Sequence, residues 1–289
     1  MLGRSPVEAK VKGTLAGSPH RQSRHRALLR AVIGQDQGQS TDGPVIHRRR
    51  RFRQTSGMGF TAAYLRHPRH GPLPGLLLLL TVATGLVDAA SILALGRVFV
   101  ANMTGNIVFI GFALAGAPGF SLHASLIALA GFLAGAGIGG AVVARFGGHR
   151  GHLLRNTTGL ETVLLIVAAA VTLPGGATPS VPARDVAVAA AASALGLQNA
   201  AVRKLAVPDL TTTVLTMTLT GIAVDLRSGN LDVAVRRLLS VAAMLAGAVL
   251  GALLVLHVAV AAALLLAAGL AATALACATL ANHRPQPWQ

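Results

Sequence analysis

The sequence contains several apolar runs that are each about as long as the hydrocarbon core of a bilayer is thick. That core of about 30 Å needs roughly 20 apolar residues in an α-helix, which rises about 1.5 Å per residue. Five runs qualify and one is shorter but plausible: residues 76–95, 122–144, 159–173, 186–202 with its flanks, 238–256 and 258–280. His257 alone separates the last two runs, which predicts a tight helical hairpin.

The composition agrees with a polytopic membrane protein. Hydrophobic residues make up 53% of the chain and charged residues 12%, whereas a soluble domain carries roughly 25% charged residues. The single cysteine, Cys277, excludes a disulfide within the chain, and we expect it to be a small buried residue of its span.

Residues 1–72 differ from the rest of the chain. They hold fourteen of the 25 Lys and Arg residues and three of the nine Asp and Glu residues. With few long apolar side chains, this segment is predicted to be a basic, disordered cytoplasmic tail. It is either passive or an over-long start with Met58 as the alternative start, or it binds the anionic membrane surface. Nucleic-acid binding through the run 48–53 is the least favoured alternative. A short C-terminal tail, 283–289, closes the chain.

An internal repeat divides the transmembrane region, 73–282, into halves at about 73–174 and 183–282. Three matches keep their order at offsets of 111, 116 and 112 residues: 85–90 with 196–201, 104–105 with 220–221, and 133–136 with 245–248. Each half consists of a span, a polar segment and two further spans. The polar segments, 98–117 and 210–226, are too polar for comfortable exposure to lipid.

The behaviour of these polar segments decides how the halves are related. If each segment crosses the bilayer, the chain has eight spans in parallel halves; if each is re-entrant or broken, it has six spans in inverted halves. Cytoplasmic loops are enriched in Lys and Arg. With the tail inside, six spans put nine later basic residues inside and only Arg97 and Arg184 outside, whereas eight spans give no bias. We therefore predict an all-α membrane protein of about six transmembrane helices in two inverted three-span repeats.

Polar residues in the spans and in the two polar segments are candidates for the lining of a solute or ion path. Asp88 lies in an apolar span, where a carboxylate must be paired, hydrated or protonated, so it is either a proton or cation site or a hydrogen-bond partner between helices. Residues 102–106 suit a helix start inside the membrane. Either the N-terminus of that helix attracts an anionic group, or these polar residues only pack between helices. The candidates are Asp88, Asn102, Thr104, Asn106, Gln198, Asn199 and Thr220. Gly131, Gly135 and Gly139 have G-x-x-x-G spacing, which predicts close helix packing.

Two strings of residues carry a family resemblance. The strings G-L-V-D-A at 85–89 and F-V-A-N-M-T-G-N at 99–106 resemble the signature of the YoaK family of bacterial membrane proteins. The later G-L-Q-N-A at 196–200 and the threonine-rich run from 211 to 221 resemble its second signature. The resemblance covers about residues 73–282. It implies an integral inner-membrane protein of about six spans, and it implies no particular substrate or site.

The motifs of common enzymes are missing from the sequence. It contains no H-E-x-x-H, no P-loop, no G-x-G-x-x-G after a strand and no G-x-S-x-G. We expect no enzyme activity, cofactor or metal, with an intramembrane enzyme as a distant alternative. The leading expectation is a secondary transporter or channel for a small solute in the bacterial cytoplasmic (inner) membrane. The main alternative is a non-transporting scaffold or accessory subunit, and self-association into a homo-oligomer stays open.

Overall fold

The structure, a computed structural model, describes residues 70–175, 179–207, 210, 212–213 and 215–282. Within these ranges the chain forms eight α-helices, six of which are long and apolar enough to cross a membrane. The helices are α1 (Leu73–Ala94), α2 (Met103–Leu114), α3 (Leu122–Phe146), α4 (Arg150–Thr172), α5 (Val181–Leu205), α6 (Leu215–Ser228), α7 (Leu231–His257) and α8 (Val260–Asn282). The predicted all-α fold with six spans is confirmed.

The two polar segments form the short helices α2 and α6. At 12 and 14 residues, they rise about 18 and 21 Å, which is less than a bilayer core of about 30 Å. The predicted hairpin is also present, because α7 ends at His257 and α8 begins at Val260. Predictions for the tail, including the start at Met58, fall outside the described residues apart from 70–72.

Two expectations from the sequence were wrong. Helix α4 begins at Arg150 and not at residue 159, because polar residues in its first turns lower the hydropathy without breaking the helix. Glu161, the third residue of the apolar run, therefore lies in the middle of α4. Cys277, expected to be buried, is exposed on the surface of α8, because α8 turns only one side toward its neighbours.

The helices of the two halves are interleaved. Helix α1 packs mainly on α7 and α8, and α5 packs mainly on α3 and α4; α4 and α8 also pack on each other. The core between them is built of leucine and alanine, with Leu77, Leu80, Leu195 and Leu264 almost fully buried. Helices α3 and α7 lie at the outside, and many of their large apolar side chains are exposed, as expected for surfaces in contact with lipid.

Glycines allow the closest of these helix contacts. A β-carbon on Gly85 of α1 would come within 2.7 Å of the backbone nitrogen of Ala248 on α7. A β-carbon on Gly196 of α5 would come within 2.9 Å of the backbone nitrogen of Ala136 on α3. The G-x-x-x-G glycines of α3 face α5 in the same way, since a β-carbon on Gly131 would meet the backbone of that helix. Their predicted role in packing is confirmed.

Candidate functional site

A sharp turn after α1 brings the chain back toward Asp88. Gly96, with φ of 103°, and Arg97, with φ of 57°, both adopt the left-handed region directly after the helix. Glycine enters this region without a steric penalty and commonly ends helices there. As a result, residues 99–101 reach the side of α1 that carries Asp88.

Asp88 fastens this returning segment with one of its two oxygen atoms. Its side chain lies in the last third of α1 and is 7% exposed. Oδ1 accepts hydrogen bonds from the backbone N–H groups of Val100, at 3.3 Å, and Ala101, at 3.2 Å. In the described part of the chain nothing donates to Oδ2, and this atom is not fully buried. The Oδ1 atom of this carboxylate therefore holds the returning segment, whereas Oδ2 accepts no hydrogen bond from the described residues.

Asn199 holds the matching place on α5, at the repeat offset of 111 residues from Asp88. Its Oδ1 accepts a hydrogen bond from the Thr213 hydroxyl at 2.7 Å, and its Nδ2 donates to the Leu195 carbonyl at 3.1 Å. Thr213 precedes α6 as Val100 and Ala101 precede α2. Asp88 and Asn199 thus each attach the segment ahead of a short helix, one with a carboxyl group and one with an amide.

The start of α2 is fixed by two asparagines. The Oδ1 atom of Asn102 accepts a hydrogen bond from the Gly105 N–H at 3.4 Å and caps the helix. Asn106 is fully buried; its Nδ2 donates to the Phe99 carbonyl at 2.6 Å, and its Oδ1 accepts from the Phe99 N–H at 2.9 Å. The helix start predicted for residues 102–106 is confirmed, and N-capping by an asparagine is its physical basis.

A cluster of four phenylalanines also holds α2, and the sequence analysis did not identify it. Phe109 stacks on Phe99 with ring centroids 5.6 Å apart, and it lies 5.0 Å from Phe120. Phe112 meets Phe120 edge to face at 5.2 Å. These rings join α2 to the segments before and after it, and such pairs add stability beyond the area that they bury. Their spacing in the sequence follows no single helical face, so only the fold brings them together.

These elements enclose a cavity of about 470 Å³ that both halves of the chain line. Its described polar lining consists of Asp88, Asn102, Thr104, Asn199, Thr213 and Thr216. Its described apolar lining consists of Phe99, Ala101, Met103, Phe132, Leu215 and Met244. The volume lies within the range of about 300–1,000 Å³ that is usual for small-molecule sites.

The structure brings together four of the seven candidate residues around this cavity: Asp88, Asn102, Thr104 and Asn199. The others lie elsewhere. Asn106 is buried behind Phe99, and Gln198 donates from its Nε2 to the Thr84 hydroxyl at 3.1 Å, which links α5 to α1. Thr220 is exposed on α6, where its hydroxyl donates to the Thr216 carbonyl at 3.0 Å.

Glu161 is a second buried acid that sequence reasoning missed. It is fully buried in the middle of α4, and in the described part of the chain neither carboxylate oxygen has a hydrogen-bond partner. The signal that could have found it is the helical spacing of Thr158, Thr162 and Leu165, which continues the buried face of α4 on both sides of Glu161. No group of three or more metal-binding side chains occurs among the described residues.

Ion pairs lie near the ends of helices, away from the cavity. Asp225 of α6 forms an ion pair with Arg237 of α7 at 2.8 Å, measured from Oδ2 to Nη1. His123 of α3 meets Asp185 of α5 at 2.9 Å, measured from Nε2 to Oδ2. His123 has no acidic neighbour in sequence, and its acidic partner comes from another helix.

Comparison with known proteins places the chain in a family. The family model described as "Protein of unknown function (DUF1275)" matches residues 76–277. The UPF0700 transmembrane protein YoaK of Bacillus subtilis (strain 168) is 33% identical over 157 residues, which cover 54% of this chain and 68% of that protein. No solved structure matches the chain significantly. Because the family model spans most of the chain and includes both signature segments, this protein belongs to the DUF1275 family of YoaK-like transmembrane proteins.

Proposed function

We propose that this protein is a secondary transporter or channel for a small solute, and that the cavity beside Asp88 is its solute site. The observation that carries the proposal is that the cavity is lined by matching parts of the two halves. Asp88 and Asn199 contribute from α1 and α5. The segments around the starts of α2 and α6 contribute as well, as do Phe132 of α3 and Met244 of α7. Solute sites of many transporters lie between two repeats, beside broken helices.

We also propose that the halves are related by a pseudo-two-fold axis. The contacts between helices support this relation: α1 packs on α7 as α5 packs on α3. The glycine contacts follow the repeat offset as well, because Gly85 meets the backbone of α7 as Gly196 meets that of α3. Three spans in each half would give the two halves opposite orientations, which is the arrangement found in many secondary transporters.

The positions of the basic residues support a cytoplasmic N-terminus in the bacterial cytoplasmic membrane. In an inverted six-span arrangement, the connections from α3 to α4 and from α5 to α7 lie on the same side as the tail. These connections and the adjacent helix ends carry Arg145, Arg150, Arg203, Lys204 and Arg227, among others. The opposite side has Arg97 and Arg184. An excess of Lys and Arg marks the cytoplasmic side.

Reconstitution tests the transport proposal. Purified full-length protein is first screened for solutes that raise its melting temperature, because a ligand that binds only the folded state stabilises it. Each stabilising solute is then assayed for uptake into proteoliposomes. We expect uptake above that of protein-free vesicles. Folded protein that binds solutes but moves none of them across the bilayer would contradict transport and favour a scaffold or accessory subunit.

A variant of Asp88 connects the cavity to this transport. In Asp88→Asn the amide oxygen can still accept from Val100 and Ala101, so the segment ahead of α2 should stay in place. The variant loses only the negative charge. We expect it to be inserted and folded with a melting temperature near that of the wild type, and to lose coupled flux. Unchanged flux in a well-folded variant would remove Asp88 from the mechanism.

A further inference from the structure

We infer that the cavity is selective for a small organic cation, whose ammonium group binds Asp88 through Oδ2. This inference rests on the proposed function in that it treats the cavity as a solute site. It adds the charge and the chemical class of the solute, which transport alone does not specify.

The charges around the cavity favour a cation. Asp88 is the only formally charged residue among the described residues of the lining, and no Lys, Arg or His is among them. Helices α1 and α2 carry no other charged residue. The charged residues of α3, α5, α6 and α7 are outside the described lining. Three basic residues come near it in sequence: Arg97, which lines another pocket, Arg203, which is exposed one turn after Asn199, and Arg237, which pairs with Asp225. A solute in the cavity therefore meets one negative charge and no positive charge among the described residues of the lining.

The protein's own oxygen atoms already occupy part of the anion site that the start of α2 could offer. A helix N-terminus inside the membrane would attract an anionic group through its unpaired N–H groups. Here Asn102 caps the helix, and the carboxylate of Asp88 already accepts from the two N–H groups just ahead of it. The protein thus supplies its own anion at this position. An anionic solute would lie beside that carboxylate and would be repelled by its like charge.

The walls of the cavity favour an organic cation over a calcium ion. Phe99 and Phe132 are aromatic residues of the lining, and Met103 and Met244 are lining residues with polarisable, adaptable side chains. Aromatic faces attract ammonium groups, and alkylammonium ions in particular are recognised in this way. A calcium ion, in contrast, requires six to eight oxygen ligands and usually several carboxylates. One carboxylate, two aromatic rings and two thioethers form the kind of surface that surrounds an alkylammonium ion.

Binding of simple probes tests the selectivity. The melting temperature of the purified full-length protein is measured with methylammonium, tetramethylammonium, acetamide and acetate, with the same counter-ions and ionic strength throughout. We expect stabilisation by the two ammonium ions and none by acetate or acetamide. Equal stabilisation by acetate or acetamide would overturn the inference, and so would the absence of stabilisation by either ammonium ion.

Variants locate this binding at the cavity. Asp88→Asn should weaken ammonium binding by roughly tenfold or more, because a charge-assisted hydrogen bond is lost. Thr220→Ala is the matched control; its side chain is exposed on α6 outside the cavity, so ammonium binding should be unchanged. The double variant Asp88→Asn, Asn199→Asp returns one carboxylate to the cavity from the other half and should restore ammonium binding. A folded double variant that binds no ammonium ion would contradict the role assigned to the cavity's charge.

The outcomes separate this inference from the proposed function. Ammonium binding that depends on Asp88, without flux of any solute, would leave the cation site intact and remove transport. Flux of a neutral or anionic solute that is unaffected by Asp88→Asn would leave transport intact and remove the cation site.

Discussion

Asp88 and Glu161 are both acids deep within spanning helices, but their surroundings differ. Asp88 accepts two backbone hydrogen bonds and lines a cavity, so its charge has partners and access. Glu161 has neither among the described residues. Helix α8, which packs on α4, carries no charged residue, and α5 carries its charges only near its ends. An ionised carboxylate without a partner costs several kcal/mol at the membrane centre, so Glu161 should be a neutral carboxylic acid.

Infrared spectroscopy of the reconstituted protein checks this prediction. A protonated carboxylic acid has a C=O stretching band that an ionised carboxylate lacks. We expect this band in the wild type and its loss in Glu161→Gln, with the fold retained because the amide is neutral and of similar size. Asp88→Asn is the control for the other buried acid. If the band is absent from the wild type or persists in Glu161→Gln, Glu161 is not the neutral acid.

Asn106 should be the most sensitive polar residue around α2. Asn106→Ala removes both hydrogen bonds to Phe99 and leaves the N–H and carbonyl groups of Phe99 without that partner. We expect the free energy of unfolding in mixed micelles to fall by about 2–4 kcal/mol. Thr220→Ala, which removes one hydroxyl on the exposed side of α6, should change it by less than about 0.5 kcal/mol. If the two variants had similar effects, the hydrogen bonds between Asn106 and Phe99 would not be what fixes the start of α2.

At the scale of elements, the spans could be predicted because length and apolarity alone determine them. Residues 122–144 and 258–280 are long apolar runs without Asp, Glu, Lys or Arg; α3 covers the first and α8 covers the second from Val260 onward. The start of α4 could not be predicted in this way, because Arg150 and Arg155 lower the hydropathy of its first turns while their backbone is helical. The residue types at 102–106 predicted a helix start in this segment, and the chemistry of asparagine caps explains why α2 begins there.

The candidate site was predictable only in part. Asp88 stood out because a charge in an apolar span is costly, and the repeat offset then pointed to its counterpart, Asn199. The contributions of Phe132 and Met244 could not be foreseen, because these residues reach the cavity only when α3 and α7 cross the other half. Sequence spacing has no information on such crossings until the partner helices are known.

The glycines that face another helix should differ sharply from those that do not. Gly135→Ala and Gly247→Ala would each push a methyl group into the backbone of the facing helix. We expect each to lower the free energy of unfolding by about 1–3 kcal/mol, as overpacking does. Gly137→Ala on α3 and Gly269→Ala on α8 meet nothing within 4 Å and serve as controls. They should be neutral or slightly stabilising, by up to about 1 kcal/mol, because alanine favours helix. If the variants at the helix contacts and the control variants lost the same in melting temperature, the close packing of these helices would be contradicted.

At the scale of the whole molecule, the number of crossings can be tested by labelling. Cys277 is first replaced by alanine, and a single cysteine is then introduced as Ala115→Cys, Gly148→Cys or Ser228→Cys. All three positions are exposed and lie at or near the ends of helices. With six crossings, an impermeant thiol reagent applied to intact cells should label both Gly148→Cys and Ser228→Cys or neither of them. The labelling of Ala115→Cys should then be the opposite. The result does not depend on which side the N-terminus occupies.

Eight crossings give a different labelling pattern. In that case Gly148→Cys would behave oppositely to both Ser228→Cys and Ala115→Cys. Reagent added after the membrane is permeabilised provides the control that each cysteine can react. Labelling of Gly148→Cys from the side opposite to Ser228→Cys would therefore exclude the inverted six-span arrangement.

The interleaving of the halves also constrains how the protein is made. Gly85 of α1 rests against α7, whose glycine Gly247 is synthesised roughly 160 residues later, which takes about 10–30 seconds at bacterial rates. During that interval the groove on α1 has no partner from its own chain and must be covered by lipid or by a membrane chaperone. The helices of the first half therefore cannot complete their packing on their own. Assembly of the native bundle has to wait until α7 has been synthesised.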